Sequence, residues 1–371
     1  MEFTISRDIF LKALGHANGI IEKKTTLPIL SNILIEAKDS KIKITATDLD
    51  IIYFEEILPK ELKKEGSTTT SGSILYDILR KLKPNSEIEL SLQNPNKIKL
   101  VSENSKFNLL CLPSDNFPLP GEGINQASFE VSPQKLLKLL NKTKISISND
   151  ETRHYLNGIY LHKTKLENKS FLCGVATDSH RLSSSSLEID PKISIEPIIL
   201  PKKTIFQLIL LLEQSSGIIK ISNNKSKIKF EINGGVLISK VIDGRFPDYS
   251  KVIPKNNDKI LQIKLDEFKN SIERVTTVSS DRTKGLKMNI SKDVVQLSAN
   301  NPNSGEGIEN INAKFNSNDL NISFNSRYLT DIASQIENEF IVINLKDASS
   351  PVLINDFSDK NSFYVVMPMK I

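Results

Sequence analysis

The hydrophobic and polar positions of this chain repeat one order of elements three times. Each copy begins with a strand of period two and continues into a helix of period 3.6. The first copy opens "EFTIS", with Ser6 as the N-cap candidate. The second opens "SFEVS" and has Pro133 at the first helical position. The third opens "ILQIK" and continues through Leu265, Phe268 and Ile272 on one helical face.

The remainder of each copy has the same order of elements. A pair of strands ends in a small polar turn, "ATD" at 46–48, "ATD" at 176–178 and "SAN" at 298–300. A second helix follows, with the sequences "SGSILYDILRKLK", "PKKTIFQLILLLEQ" and "NSRYLTDIASQIE". Short alternating strands complete each copy.

Matching landmarks lie about 120 to 130 residues apart, and Gly- and Pro-rich stretches separate the copies. We therefore predict three α+β domains of the same build, at residues 1–122, 128–248 and 249–371. Domains of one build can join edge to edge, so that sheets continue from one to the next, and such an array tends to close into a ring. Six domains would supply twelve helices, which at helix spacings of about 8 to 10 Å enclose room for a nucleic-acid duplex.

Composition is that of a folded globular protein, with 39% hydrophobic and 25% charged residues among 371. The net charge of +5 gives a mild positive field that suits a polyanion. Cys111 and Cys173 lie in apolar surroundings and are predicted to be buried free thiols in a reduced compartment. No signal sequence or membrane-length apolar run is found, so we expect a cytoplasmic protein without a membrane partner.

The stretch "ATDSHRLSSSS" contains the residue types of a nucleophilic triad in Asp178, Ser179 and His180. Adjacent residues of an extended segment point to opposite sides, so they cannot form an ordered relay. Nucleophile-elbow, P-loop and metal-ligand patterns are missing as well. We predict no catalytic residues, no metal and no cofactor, and keep a hydrolase that uses Ser179 and His180 as the alternative.

Seven segments, in order, resemble the bacterial beta sliding clamp family, the processivity subunit of the replicative DNA polymerase. They are "TTLPILSNILIEA", "ATDLDI", "RHYLNGIYL", "ATDSHRLS", "VIDGRFPDYSKVIP", "SANNP" and "YVVMPMKI". The resemblance implies an α+β fold of three structurally repeated clamp domains, with helices lining a ring and sheets outside, closed by head-to-tail homodimerisation. It implies a non-catalytic protein, because nucleotidyl transfer lies in the partner.

The partners implied are duplex DNA without sequence preference, a second copy of the chain, the polymerase catalytic subunit and a clamp loader ATPase. Other polymerases and repair proteins would bind through a short peptide motif. By resemblance, the residues of that peptide pocket are Arg153, Leu156, Thr177, His180, Arg181, Leu182, Pro247, Val252, Asn325, Tyr328, Ser350, Val366, Met367, Pro368 and Met369.

The resemblance also implies two further surfaces. The DNA-binding residues would be Lys24, His154, Tyr155, Lys202 and Lys203. The dimer interface would comprise Phe107, Leu109, Thr277, Val278, Glu306 and Glu309, with Lys99 and Lys106 pairing with the two glutamates. The chain departs from the family pattern at Ser179, where Gly is common, at Lys251, at Thr277 and in the terminal Lys370-Ile371.

Overall fold

The computed structural model describes residues 1–22, 25–119, 124, 128–279 and 284–370. The chain divides into two compact units. Unit 1 contains Met1–Leu137 and Lys203–Val241, and unit 2 contains Lys138–Lys202 and Ile242–Ile371. The middle sequence repeat therefore contributes to both units.

The described residues of the first repeat form β1 (Glu2–Ser6), α1 (Arg7–Asn18), β2 (Asn32–Lys38), β3 (Lys41–Thr47), β4 (Ile51–Ile57), β5 (Glu61–Lys64), β6 (Gly66–Ser71), α2 (Gly72–Lys81), β7 (Glu87–Asn94), β8 (Lys97–Ser102) and β9 (Ser105–Leu112). Those of the second form β10 (Phe129–Val131), α3 (Pro133–Lys144), β11 (Gly158–Leu166), β12 (Lys169–Thr177), β13 (Arg181–Ile189), β14 (Ile198–Pro201), α4 (Lys202–Glu213), β15 (Ile219–Asn223), β16 (Lys227–Ile232) and β17 (Gly235–Lys240). Those of the third form β18 (Lys259–Lys264), α5 (Leu265–Val275), β19 (Gly285–Ser291), β20 (Val294–Asn301), β21 (Gly305–Phe315), β22 (Leu320–Asn325), α6 (Ser326–Ala333), β23 (Phe340–Leu345), β24 (Val352–Asp356) and β25 (Asp359–Val366).

The three repeats share one order of helices and strands, apart from the additional short strand β5 in the first. This confirms the prediction of three α+β domains of the same build. Ser6 is the N-cap residue of α1, as predicted, although its side chain makes no capping hydrogen bond. In α6 the cap is made, since the Asn325 side chain accepts a hydrogen bond from the Arg327 amide.

Each unit is built on one continuous antiparallel sheet that joins two repeats. In unit 1, β4 of the first repeat pairs with β17 of the second, and Glu55 lies opposite Gly235. In unit 2, β13 of the second repeat pairs with β25 of the third, and Ser185 lies opposite Ser362. The prediction that sheets continue from repeat to repeat therefore holds within both units.

Apolar helix faces close over these sheets. Phe10, Ala13 and Leu14 of α1 are buried, as the helical spacing predicts. Both cysteines are free and buried, as predicted. No helix among the described residues has the length and apolarity needed to cross a membrane.

A buried ion pair lies where the first and second repeats meet in unit 1. The His16 ring Nδ1 is 2.7 Å from the Glu55 carboxylate, which also accepts a hydrogen bond from the Tyr53 hydroxyl. The His16 Nε2 is 3.1 Å from the side-chain oxygen of Gln214 in the second repeat. Burial alone would lower the pKa of His16, but the hydrogen bond and charge of Glu55 outweigh it, and the pKa is raised above its ordinary value.

We expect this pair to make unit 1 less stable as the pH rises. A raised histidine pKa contributes stability that is fully present below the unfolded value of about 6.5 and is lost as the pH passes the folded pKa. Chemical denaturation should show His16→Gln losing about 1 kcal/mol relative to the unmodified chain near pH 6 and much less near pH 9. Glu55→Gln should remove the same pH dependence. An equal loss at both pH values would contradict this assignment.

Candidate functional site

A cavity of about 230 Å³ lies in unit 2, where the end of β12, the start of β13 and the end of β25 meet residues 247–252. It has an apolar lining with polar groups at its rim. The residues that line it are Thr177, Ser179, His180, Arg181, Leu182, Pro247, Asp248, Tyr249, Val252, Val365 and Met367.

The rim is shaped by the turn that joins β12 to β13. The Asp178 carboxylate accepts hydrogen bonds from the amides of His180 and Arg181, and the Thr177 hydroxyl donates to the Arg181 carbonyl. This holds the His180 ring at an exposed position. Ser179 has a φ of +76°, and the equivalent Leu49 of the first repeat has +79°. The turn therefore has the same backbone conformation in both repeats. Its residue with a positive φ is one at which glycine would be less strained.

Arg181 is held by contacts within the protein. Its guanidinium is only 8% exposed and bonds Asp178 and, at 2.7 Å, Asp331 of the third repeat. It also stacks 4.3 Å from the ring centroid of Tyr328. The guanidinium is thus engaged within the protein and holds two repeats together beneath the cavity. Arg181 therefore lines the cavity, as predicted, and also joins the second repeat to the third.

The apolar floor shows the two-residue period of a strand. Val365 lies opposite Leu182, and both belong to a buried cluster with Leu156. Val366 points the other way, into the core of the third repeat. Val366 was therefore the wrong member of β25 for the cavity, because successive strand residues face opposite sides.

The other predicted pocket residues do not line the cavity. Arg153 donates to the Ser179 hydroxyl at 2.7 Å and so supports the turn. Ser350 donates to Asp347, and the Met369 amide donates to the Ser323 carbonyl. The predicted residues that the structure leaves outside the lining are Arg153, Leu156, Asn325, Tyr328, Ser350, Val366, Pro368 and Met369.

The predicted pocket set omits four lining residues, Asp248, Tyr249, Val365 and Ser179. The first two directly follow the predicted Pro247 in "FPDY", and Val365 could have been found from strand parity. The Tyr249 hydroxyl is 3.1 Å from His162 Nε2, and burial raises its pKa. Tyr249 is therefore a neutral, polar-tipped wall of the cavity.

The predicted DNA-binding residues are partly engaged within the chain. Lys203 forms ion pairs with Glu22 and Asp48 and so joins α4 to the first repeat. The Lys202 ammonium bonds the Asn149 side chain, and the His154 ring bonds the Asp243 carbonyl at 3.1 Å. Tyr155 packs beside the cluster that forms the cavity floor. Lys24 lies outside the described residues.

Four of the six predicted dimer residues lie on two partly unpaired strands. β9, with Phe107 and Leu109, pairs with β8 along its length but with β6 only at its last two residues. β21, with Glu306 and Glu309, pairs with β18 only from Ala313 onward. Thr277 and Val278 follow α5 beside β21, and the Thr277 hydroxyl donates to the Glu273 carbonyl. Glu309 is already bonded by Arg274 of its own chain.

The alternative of a hydrolase has no support in this geometry. The Ser179 hydroxyl accepts from Arg153, and the Asp178 carboxylate is bonded by turn amides and by Arg181. Within the described ranges, no group of three or more His, Cys, Asp and Glu side chains is placed to hold a metal ion.

Comparison with known proteins matches all three repeats to one family. The DNA polymerase III beta subunit models match residues 1–120 for the N-terminal domain, 130–248 for the central domain and 250–370 for the C-terminal domain. Among curated relatives, the beta sliding clamp of Caulobacter vibrioides is 34% identical over 373 residues and that of Escherichia coli 30% over 371. Both alignments cover all of each chain.

Solved structures give the same result. A sliding clamp from Bartonella birtlesii, solved with griselimycin bound, is 39% identical with a TM-score of 0.97. The DNA polymerase III beta subunit of Pseudomonas aeruginosa is 30% identical with a TM-score of 0.93, and both matches cover each chain completely. The fold and repeats define a DNA sliding clamp of the replicative polymerase. The chain belongs to the bacterial beta sliding clamp family.

We expect Arg181 to stabilise the folded chain. Arg181→Met should lower the free energy of unfolding by about 3 kcal/mol, because it leaves the carboxylates of Asp178 and Asp331 without their buried partner. Arg153→Met is the matched control and should cost less than about 1 kcal/mol, because that guanidinium is more exposed. Chemical denaturation of the two variants measures both values, and equal losses would contradict the assignment.

Proposed function

We propose that two copies of this chain close head to tail into a ring around duplex DNA and tether polymerases through the cavity of unit 2. The chain itself performs no chemistry and acts in the cytoplasm. A clamp loader ATPase opens and loads the ring, and other polymerases and repair proteins compete for the same cavity. The observation that carries the proposal is the edge pairing found twice within the chain.

The two internal pairings give the register of a third. In the structure the buried Ala46, Ala176 and Ala299 are equivalent, so the residues that follow them, Thr47, Thr177 and Asn300, correspond to one another, one position away from the match by sequence. Three residues beyond the strand partner of each lie the equivalent positions Glu55 of β4, Ser185 of β13 and Glu309 of β21. Their counterparts are Gly235 of β17 and Ser362 of β25. Gly235 closes the turn between β16 and β17, and the residue at the same hairpin position in the first repeat is Ser105, which closes the turn between β8 and β9. This pattern pairs Glu309 with the partner's Ser105 and Gly307 with the partner's Phe107.

Size and charge favour that register. Gly307 would lie opposite the large Phe107, as Ser183 lies opposite Tyr364 inside unit 2. On the outer face Ile308 is 56% exposed, and Leu110 on β9 is 84% exposed. Covering such side chains is favourable. The exposed Lys106 and Glu306 give the two edges opposite charges.

The distribution of charge supports DNA as the occupant of the ring. The six helices contain 13 lysine and arginine residues and 7 aspartate and glutamate residues, a net charge of +6. Since the whole chain carries +5, all other residues together carry −1. Helices that line a ring would therefore present the positive charge to phosphates without reading sequence.

The cavity suits a short extended peptide. Leu182, Val365, Val252 and Met367 offer an apolar surface, and Met adapts to ligands of different shape. His180 and Tyr249 provide polar tips at its edge. The griselimycin complex of the Bartonella birtlesii relative indicates that a clamp of this fold takes a ligand.

Cysteine cross-linking tests the closed dimer. By the register above, Ile308 lies opposite the partner's Lys106, so Ile308→Cys with Lys106→Cys should give a disulfide-linked dimer on mild oxidation. Non-reducing gel electrophoresis measures the product. The control pair, Ile308→Cys with Asn108→Cys, is shifted by two residues and should cross-link poorly. Monomer only, or equal yields from the two pairs, would contradict the proposed interface.

Substitutions at two methionines near the C-terminus test whether the peptide binds in the cavity or on the surface beside it. Met367→Lys should weaken binding of a fluorescent peptide from the clamp-binding segment of the organism's polymerase by about tenfold, because it puts a charge in an apolar groove. Met369→Lys, of similar exposure but outside the lining, should change the Kd by less than about threefold. Fluorescence anisotropy gives both values. Equal losses, or no loss for Met367→Lys, would count against the cavity as the peptide site.

A further inference from the structure

We propose that Arg274 and the partner's Glu103 form the ion pair that completes the third repeat junction. The inference rests on the proposed homodimer and adds a residue pair to it. Its basis is a cation that recurs at the same position in the first helix of every repeat.

The recurring position is the tenth residue of α1, α3 and α5. It is His16 in the first repeat, Lys142 in the second and Arg274 in the third. Each of the three side chains can carry a positive charge. In the first and third repeats the cation bonds a carboxylate of its own repeat, at equivalent positions Glu55 and Glu309.

In the first junction the cation also meets the next repeat. His16 Nε2 lies 3.1 Å from Gln214, the residue immediately after α4. Asn233, in the turn between β16 and β17, lines the same small cavity as His16. The end of the second helix and this hairpin turn therefore face the cation.

In the second junction the cation contacts the same two places, the end of the second helix and the hairpin turn, through more polar groups. The Lys142 side chain is 3% exposed and donates to the Gln335 carbonyl, just after α6, at 2.6 Å. Glu337 lies 3.0 Å away, and Asp356 and Asp359 flank the turn between β24 and β25 at 3.7 and 3.6 Å. The second repeat has Ser185 at the position equivalent to Glu55 and therefore lacks this carboxylate. The third repeat supplies the carboxylates that surround Lys142.

Only one side of the third junction is formed within the chain. Arg274 is bonded by Glu309 but remains 59% exposed, far more than Lys142. By the order of the repeats, the next one is the first repeat of a second copy. The places equivalent to those above are the residues after α2 and the turn between β8 and β9, where Lys83 and Glu103 lie.

Charge makes Glu103 the acceptor in that turn. Its side chain is 55% exposed, and Lys83 lies at the long distance of 3.4 Å. The exposed Arg274 and Glu103 have opposite charges, and the strand register proposed above brings the partner's Ser105, two residues from Glu103, opposite Glu309. Together with Lys83 and Glu309 they would form a neutral cluster of four charges.

A double-mutant cycle on the full-length chain tests the pair. Glu103→Gln should raise the dimer dissociation constant about three- to tenfold, since each ring contains two such pairs. In an Arg274→Gln background the same change should have little effect, and high salt should remove the difference. Sedimentation velocity over a dilution series measures the constants.

Glu167→Gln is the matched control, because Glu167 also lies in a hairpin turn with a positive φ, +53° against +47° for Glu103. It should leave dimerisation unchanged. An equal effect of Glu103→Gln in both backgrounds, or none in either, would overturn the pair while leaving the ring intact. An unmodified chain that stays monomeric at all concentrations would instead overturn the proposed homodimer.

Discussion

The antiparallel pairing of one repeat's edge strand with the next repeat's edge strand is the constraint on which this molecule depends. It joins β4 to β17 and β13 to β25, and so turns separate domain sheets into one continuous sheet in each unit. Unpaired strand edges promote association, and this chain satisfies two of its three junctions internally. The partly unpaired edges of β9 and β21 are opposite in charge and carry exposed apolar side chains. In the proposed ring, a second copy of the chain pairs with both edges at once.

The junctions also position the candidate peptide site. The cavity lies beside the β13–β25 pairing, and its floor combines Leu182 from one repeat with Val365 from the next. Arg181 is buried there because it binds Asp331 across the junction. The candidate peptide site and the junction between repeats therefore share residues, and the turn that resembles a catalytic motif in sequence is part of the repeated architecture.

Much of this could be predicted from sequence, for a physical reason. The repeat of strand and helix periods sets the number and order of elements, and the segment motifs indicate the family. Side-chain direction was less accessible. Val366 was predicted in place of Val365 because motif matching ignores strand parity. The intrachain partners of Arg181 and Lys203 were not predicted, since nothing in their local sequence reveals the carboxylates of distant segments that bind them.

In the proposed function the chain acts by enclosing DNA. The most direct measurement is retention of fluorescent protein, loaded by its clamp loader, on a nicked circular plasmid and on the same plasmid after linearisation. If the chain encloses DNA, the protein stays on the circle through a high-salt wash and is lost from the linear form by sliding off its ends. Equal loss from both forms at high salt would show simple electrostatic binding and would contradict the account.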